Sequence, residues 1–180
     1  MKPLTPDAAN PLRRAALIAT ALWVAVPVSA GPTDAAGPLR CKLTAPATGR
    51  PGEALMLHFT FANHGPRALR LLTWNTPLEP GWFAPFVNVT RDGEPLEYRG
   101  AMMKRGAPAA DDYLELGAHR TRHAEIDLAL GFDLSRPGRY HVEPRIVLHD
   151  LASVDARRAR AADARAPQPL ACNSVDFVLA

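Results

Sequence analysis

Apolar and polar residues alternate along several short stretches of this chain. Every second residue from Leu55 to Phe61 is a large apolar one, and the same spacing recurs from Val175 to Leu179. A period of two is typical of a β-strand with one buried face. Further extended runs are predicted at residues 39–45, 68–74, 84–91, 94–100, 113–116, 119–130 and 139–148.

Turn-forming residues separate these runs, in a chain with 18 prolines and 12 glycines. Asp92 and Gly93 lie between two extended runs and predict a tight hairpin turn. The spacing from Asp133 through Gly138 to Tyr140 resembles a corner of immunoglobulin-like sandwiches, in which the tyrosine hydroxyl bonds to nearby backbone. About eight short strands separated by turns predict an all-β fold, an immunoglobulin-like antiparallel β-sandwich.

The N-terminal segment has the layout of a secretory signal peptide. Two arginines precede a short apolar run, and small residues up to Ala30 suit a cleavage site. A proline breaks the run, which is shorter than the roughly 20 residues of a membrane-spanning helix; a retained anchor is the alternative. We expect residues 1–30 to direct export to the periplasm or the cell exterior, without stable membrane insertion after cleavage. Residues 31–38 are then a flexible leader, and residues 39–180 a single domain.

The charge balance argues against a nucleic-acid partner. The whole chain has 21 basic and 18 acidic residues. Residues 1–30 hold three of the basic and one of the acidic residues, so their removal leaves 18 against 17. A nucleic-acid-binding domain would instead carry a strongly basic face.

The two cysteines, Cys41 and Cys172, lie near the two ends of the expected domain. In an oxidising compartment the simplest interpretation is one disulfide between the first and last strands. Two free buried thiols are the alternative. The Ala/Arg-rich stretch at residues 155–168 has no apolar face and is expected to be a mobile insertion, with a solvated helical turn as the alternative.

Residue patterns that would indicate catalysis are missing from the sequence. The chain has no GxSxG motif, no P-loop and no paired-cysteine zinc spacing. Asp111, Asp112 and Glu115 are close together, but neighbouring carboxylates in a polar loop are usually solvated. Asp112 also suits the cap of a turn before Tyr113. We therefore expect a protein that is not an enzyme.

Two residue pairs have side chains that could bind a metal ion. His119 and His123 have the spacing of a helical metal pair, but the sequence between them lacks the glutamate of HExxH. Exposed strand histidines are the favoured interpretation. Met102 and Met103 offer thioethers, which select Cu(I), yet adjacent side chains of an extended chain point apart. The sequence thus predicts no bound metal and no cofactor.

Short motifs follow one another in a fixed order through the middle of the chain, at residues 74–79, 86–93, 98–105, 108–113 and 133–140. Their order resembles the N-terminal prodomain of bacterial deuterolysin-like metalloendopeptidases, the aspzincin group that includes peptidyl-Lys enzymes. Those precursors continue into a zinc catalytic domain with HExxH and GTxxD motifs, and neither motif occurs here. The resemblance predicts a prodomain standing without its protease, although the cysteine pair and the 155–168 stretch do not map onto the family pattern.

The resemblance implies a partner, a secreted metalloendopeptidase whose active-site cleft this domain covers, inhibiting the enzyme or assisting its folding. In that hypothesis Lys104 occupies the specificity pocket, with Arg105 as the competing basic residue. The residues expected to contact the protease are Met102, Met103, Lys104 and Arg105, and those expected to support their loop are Trp74, Asp112 and Tyr113.

Other interpretations stay open at the level of sequence. Lys104 and Arg105 fit a solvated basic loop equally well, and core packing is the favoured role for Trp74. The whole chain fits a non-inhibitory envelope module for adhesion, assembly or copper carriage. It also fits a remnant prodomain with no present activity.

Overall fold

The computed structural model describes residues 37–154 and 167–180. The predicted signal peptide, residues 31–36 of the predicted leader and residues 155–166 of the predicted insertion lie outside this part of the chain. Among the described residues, no helix is long and apolar enough to cross a membrane.

Strands make up most of the regular structure of the described residues, and helical structure there is limited to short 3-10 turns such as Ala110–Asp112 and Leu128–Leu130. The strands are β1 (Leu39–Thr44), β2 (Thr48–Gly49), β3 (Met56–Asn63), β4 (Leu69–Leu72), β5 (Val87–Arg91), β6 (Glu94–Pro95), β7 (Tyr113–Leu116), β8 (Thr121–Asp127), β9 (Gly138–Pro144), β10 (Ile146–Leu148), β11 (Leu151–Ser153), β12 (Gln168–Leu170) and β13 (Val175–Leu179).

One sheet has three antiparallel strands in the order β1-β3-β8. Its central strand, β3, buries Leu57, Phe59 and Phe61 completely, whereas His58 between them is exposed. The alternation predicted for this strand is therefore confirmed.

A second sheet has five strands in the order β2-β13-β9-β5-β6. Its pairs are antiparallel, apart from the short parallel pair of β2 and β13. Tyr140 and Val142 of β9 are buried together with Phe177 of β13. The rings of Tyr140 and Phe177 stack with their centroids 5.0 Å apart.

Apolar side chains from these two sheets enter one hydrophobic core. The ring of Phe59 on β3 meets the ring of Phe86, which precedes β5, edge to face at 6.1 Å between centroids. Burying each large apolar side chain contributes roughly 1.5–3 kcal/mol, so this shared core is the main stabilising feature. The predicted all-β, immunoglobulin-like sandwich is confirmed.

Two smaller sheets, β11-β4-β7 and β10-β12, complete the strand pairing of the described residues. The single strand predicted at residues 139–148 is wrong, because β9 and β10 belong to different sheets. Pro144 has no N–H to continue a ladder, and the next N–H, from Arg145, donates to the carbonyl of Phe86 at 2.7 Å. After Pro144 the chain therefore leaves the five-stranded sheet and enters the β10-β12 sheet.

The predicted hairpin and tyrosine corner are both confirmed. Asp92 and Gly93 both have positive φ angles, 51° and 88°, as a tight two-residue hairpin turn requires. The hydroxyl of Tyr140 donates to the carbonyl of Arg136 at 2.6 Å.

The two cysteines form the predicted disulfide, which joins β1 to the segment before β13. Next to it, the Asn173 side chain accepts from the N–H of Leu43 and donates to its carbonyl, both at 2.9 Å. The amide side chain thereby takes the place of a strand partner for β1.

Residues at the edges of several predicted segments take part in regular structure. The carbonyl of Pro38, the last residue of the predicted leader, accepts from the N–H of His64 at 3.0 Å. Gln168, the last residue of the predicted insertion, begins β12 and pairs with Leu148. The run at residues 119–130 is a strand only over β8, since Leu128–Leu130 forms a 3-10 turn.

Replacing both cysteines, as C41S/C172S, should lower the free energy of unfolding by about 4–5 kcal/mol, because the bond closes a loop of 131 positions in the unfolded chain. Urea unfolding of the oxidised protein and of the variant measures the difference. Equal unfolding midpoints would contradict the expectation.

Tyr140→Phe should lower the free energy of unfolding by about 1 kcal/mol, because the partly buried hydrogen bond from the hydroxyl to the Arg136 carbonyl is lost while the ring stack persists. Urea unfolding measures this loss, and near-ultraviolet circular dichroism checks that the aromatic packing is retained. A variant as stable as the parent protein would show that water replaces the hydroxyl.

Candidate functional site

The candidate site is the 97–109 loop, which lies between β6 and the 3-10 turn before β7 and contains no strand or helix. Irregular segments of this length need their backbone polar groups satisfied by neighbours. In this loop the partners come from two other loops of the molecule, at residues 74–86 and 128–133.

Hydrogen bonds to backbone carbonyl groups hold the first half of the loop. The hydroxyl of Tyr98 lies 3.1 Å from the carbonyl of Ala101 and 3.3 Å from that of Trp82. The N–H of Arg99 donates to the carbonyl of Gly131 at 2.8 Å. A further N–H, from Met103, donates to the carbonyl of Phe83 at 3.2 Å.

Arg105 fixes the second half of the loop through its side chain. Its guanidinium forms an ion pair with the carboxylate of Glu79, and the two side chains are only 19% and 6% exposed. The other carboxylate oxygen of Glu79 accepts from the N–H of Asn75 at 3.0 Å. Charged groups are rarely buried unless they are paired in this way.

Two aromatic rings flank the Arg105 guanidinium. Its central carbon lies 5.1 Å from the ring centroid of Trp74 and 5.4 Å from that of Phe83, within the range of cation–π attraction. Trp74 follows β4 in a turn and is half-buried outside the hydrophobic core. The core-packing role favoured for Trp74 is therefore wrong, because its ring covers Arg105 instead.

Asp112 ends the loop region by capping a turn, as predicted. Its carboxylate accepts from the N–H of Ala109 at 2.7 Å. The pKa of the Asp112 carboxyl is lowered from its ordinary value of 3.8, chiefly by the Trp74 indole N–H, then by the Ala109 N–H, with a smaller effect from Arg105. The indole N–H faces the carboxylate without reaching full hydrogen-bond geometry, so the Ala109 contact is the better defined of the two.

The side chain of Tyr113 contacts two residues outside the 97–109 loop. Its hydroxyl lies 2.9 Å from the carboxylate of Asp150. The guanidinium of Arg70, on the adjacent strand β4, lies 3.5 Å from the centre of its ring.

Between these anchors the loop exposes three consecutive side chains. Met102 is 73% exposed and Met103 is 48% exposed, and Lys104 is also exposed. The structure thus brings Trp74, Arg105 and Asp112 together, and leaves Met102, Met103 and Lys104 facing solvent. Large exposed apolar side chains of this kind are typical of contact surfaces when they cluster.

The histidines considered as metal ligands lie in different structural elements. His119 lies in a turn with a φ of 55°, not in a strand as expected. The ring of His123, on β8, lies 3.2 Å from the hydroxyl of Thr60. Within residues 37–154 and 167–180, no group of three or more His, Cys, Asp or Glu side chains is placed to hold a metal ion.

Glu79 and Phe83 are the site residues that sequence analysis missed. Glu79 is the one carboxylate in the apolar and turn-forming stretch from Pro77 to Phe83. A single charge in such a stretch is the available signal, because it needs a partner if the stretch is buried.

Comparison with curated proteins finds one related sequence. The chain is 33% identical over 116 residues to an extracellular protease of Aeromonas hydrophila, a match that covers 64% of this chain and 32% of that protein. The chain therefore spans about a third of the length of the curated relative that it matches. No protein-family model matches the chain.

Comparison with solved structures finds small β domains at low similarity. A PapD-like domain of human CEP192 is 12% identical with a TM-score of 0.38, covering 89% of this chain and 97% of that one. The CARDB domain of a Pyrococcus furiosus protein is 9% identical with a TM-score of 0.29, covering 75% and 94%.

Titration of Asp112 should be displaced to low pH. A carboxyl whose pKa is lowered by folding stabilises the turn above the ordinary value of 3.8, and this contribution disappears as the pH falls through the lower folded-state pKa. Following the Ala109 amide proton by NMR should give a midpoint below 3.8.

Two variants serve as controls for this titration. Trp74→Phe removes the indole N–H and should move the midpoint up, towards the ordinary value. Asp112→Asn should abolish the transition at Ala109. A midpoint at or above 3.8 in the parent protein would contradict the assigned contacts.

Proposed function

We propose that this chain is an exported, non-catalytic domain that binds a secreted zinc metalloendopeptidase and covers its active-site cleft. Bound there, it inhibits the enzyme or assists its folding. Export is assigned to residues 1–30, and the match to part of an extracellular protease supports a role beside such an enzyme.

The observation that carries the proposal is the exposure of Lys104 on an anchored loop. The residue before it is fixed through the Met103 N–H, and the residue after it through the Arg105 side chain. A segment that is already ordered loses little conformational entropy on binding, so more of the contact energy appears as affinity.

The chemistry of the exposed side chains suits an endopeptidase that prefers basic residues. The Lys104 ammonium would enter a pocket with acidic or carbonyl oxygen ligands, where a desolvated charge pair is strong. Met102 and Met103 would lie along the apolar walls of the cleft, since methionine adapts to irregular surfaces.

Lys104→Ala should weaken inhibition of a deuterolysin-like metalloendopeptidase at least about 30-fold, the usual effect of removing a central anchor side chain. The experiment titrates the full chain into the protease and follows hydrolysis of a lysine-containing peptide. Lys42→Ala is the matched control, because Lys42 is also exposed but lies on β1.

Each outcome of this titration has a defined meaning. Unchanged hydrolysis at a large molar excess of the parent protein would overturn the inhibitory function. Inhibition that is equally strong in Lys104→Ala and Lys42→Ala would overturn the assignment of the contact to the 97–109 loop.

A further inference from the structure

Adjacent basic residues of the 97–109 loop have opposite environments. Lys104 is exposed. Arg105 is largely buried against Glu79, Trp74 and Phe83. The sequence alone makes the two residues equivalent, so this division must come from the surrounding structure.

We infer that Arg105 is a positioning residue, which holds the peptide bonds beside Lys104 out of reach of proteolysis and leaves Lys104 as the side chain offered to the partner. This inference rests on the proposed function for the identity of the partner, an endopeptidase with a lysine-selective pocket. Its physical core, protection of the loop from cleavage, does not depend on that partner.

The side chain of Arg105 is too firmly held to act as a competing pocket residue. If it swung out, the nearly buried Glu79 carboxylate would lose its counter-ion. An unpaired charge at such a site is strongly unfavourable. The guanidinium would also leave the two aromatic faces that flank it.

The backbone beside Lys104 is also committed within the molecule. Many proteases and peptide-binding domains take an extended segment as an added strand, which requires its N–H and carbonyl groups to be available. The N–H of Met103 already donates to Phe83. A protease would therefore have to open the loop before it could align a peptide bond for hydrolysis, and cleavage then follows the population of the open form.

The ion pairs of the other basic residues in the loop favour a partner that recognises lysine. Arg99 pairs with Asp133 at 3.3 Å, and Arg105 pairs with Glu79. In the 97–109 loop, which is described throughout, Lys104 is the basic residue for which the structure gives no ion pair. In the segment from Met102 to Arg105, the loop thus presents lysine, not arginine, to a specificity pocket.

The test uses a lysine-specific serine endopeptidase on the folded full chain, with products identified by mass spectrometry. The lysines of the chain are Lys2, Lys42 and Lys104. Cleavage after Lys104 reports opening of the loop, whereas cleavage after Lys42, inside β1 and paired with Thr60, reports global unfolding.

Arg105→Ala should raise the rate of cleavage after Lys104 about tenfold or more, with little change after Lys42, because the loop loses its buried ion pair. Arg105→Met retains the apolar stem and should give a similar or smaller rise. Glu79→Gln keeps an acceptor for Asn75 but removes the charge, so it should also sensitise the Lys104 site. Arg99→Ala is the matched control and should leave the rate nearly unchanged, because it removes only a solvent-exposed ion pair with Asp133 and keeps the N–H bond to Gly131.

Two outcomes would overturn the inference. In the first, Arg105→Ala is cleaved after Lys104 no faster than the parent protein. In the second, cleavage after Lys104 and Lys42 rises in parallel in Arg105→Ala, Arg105→Met and Glu79→Gln, which would make Arg105 a general stability residue.

Failure of this inference is distinguishable from failure of the proposed function. Cleavage by the lysine-specific enzyme measures opening of the loop in the absence of any natural partner. The proposed function is tested separately, and it fails if the parent protein does not slow the metalloendopeptidase. If both hold, Arg105→Ala should be cut beside Lys104 by the metalloendopeptidase, while the parent protein resists.

Discussion

The buried face of β3 is the constraint to which the rest of the fold is fitted. Leu57, Phe59 and Phe61 lie on the central strand of one sheet and fill the space against the other. Because successive strand residues face opposite ways, this burial fixes the register of β1 and β8 on either side. A shift of one residue in the strand pairing would turn these apolar side chains towards solvent, so the positions of the strand ends and turns are fixed as well.

The Arg105–Glu79 pair has a similar role for the irregular part of the molecule. It joins two loops that share no strand ladder, and it does so under the aromatic cover of Trp74 and Phe83. A buried pair of this kind need not add much net stability, because desolvation offsets the attraction. Its effect is geometric, since the two loops must lie side by side for the charges to pair.

Local signals explain which features were predictable from sequence. The alternation in β3, the Asp92-Gly93 turn and the Tyr140 corner each depend on residues close together in the chain, and all three were predicted. The environment of Arg105 was not, because Glu79 lies 26 positions away and carries no periodic pattern. The division of one predicted strand at Pro144 was missed although proline is a local signal, because the sheet that β10 joins is set by its distant partner β12.

The position of the disulfide also orders events during biogenesis. Cys41 lies on β1, but its partner Cys172 follows all the described strands except β13. A chain that emerges from its N-terminus presents Cys41 as a lone thiol until nearly all the strands have followed. The bond therefore cannot form before Cys172 has emerged, and any pairing of β1 with β3 that precedes this point takes place without it.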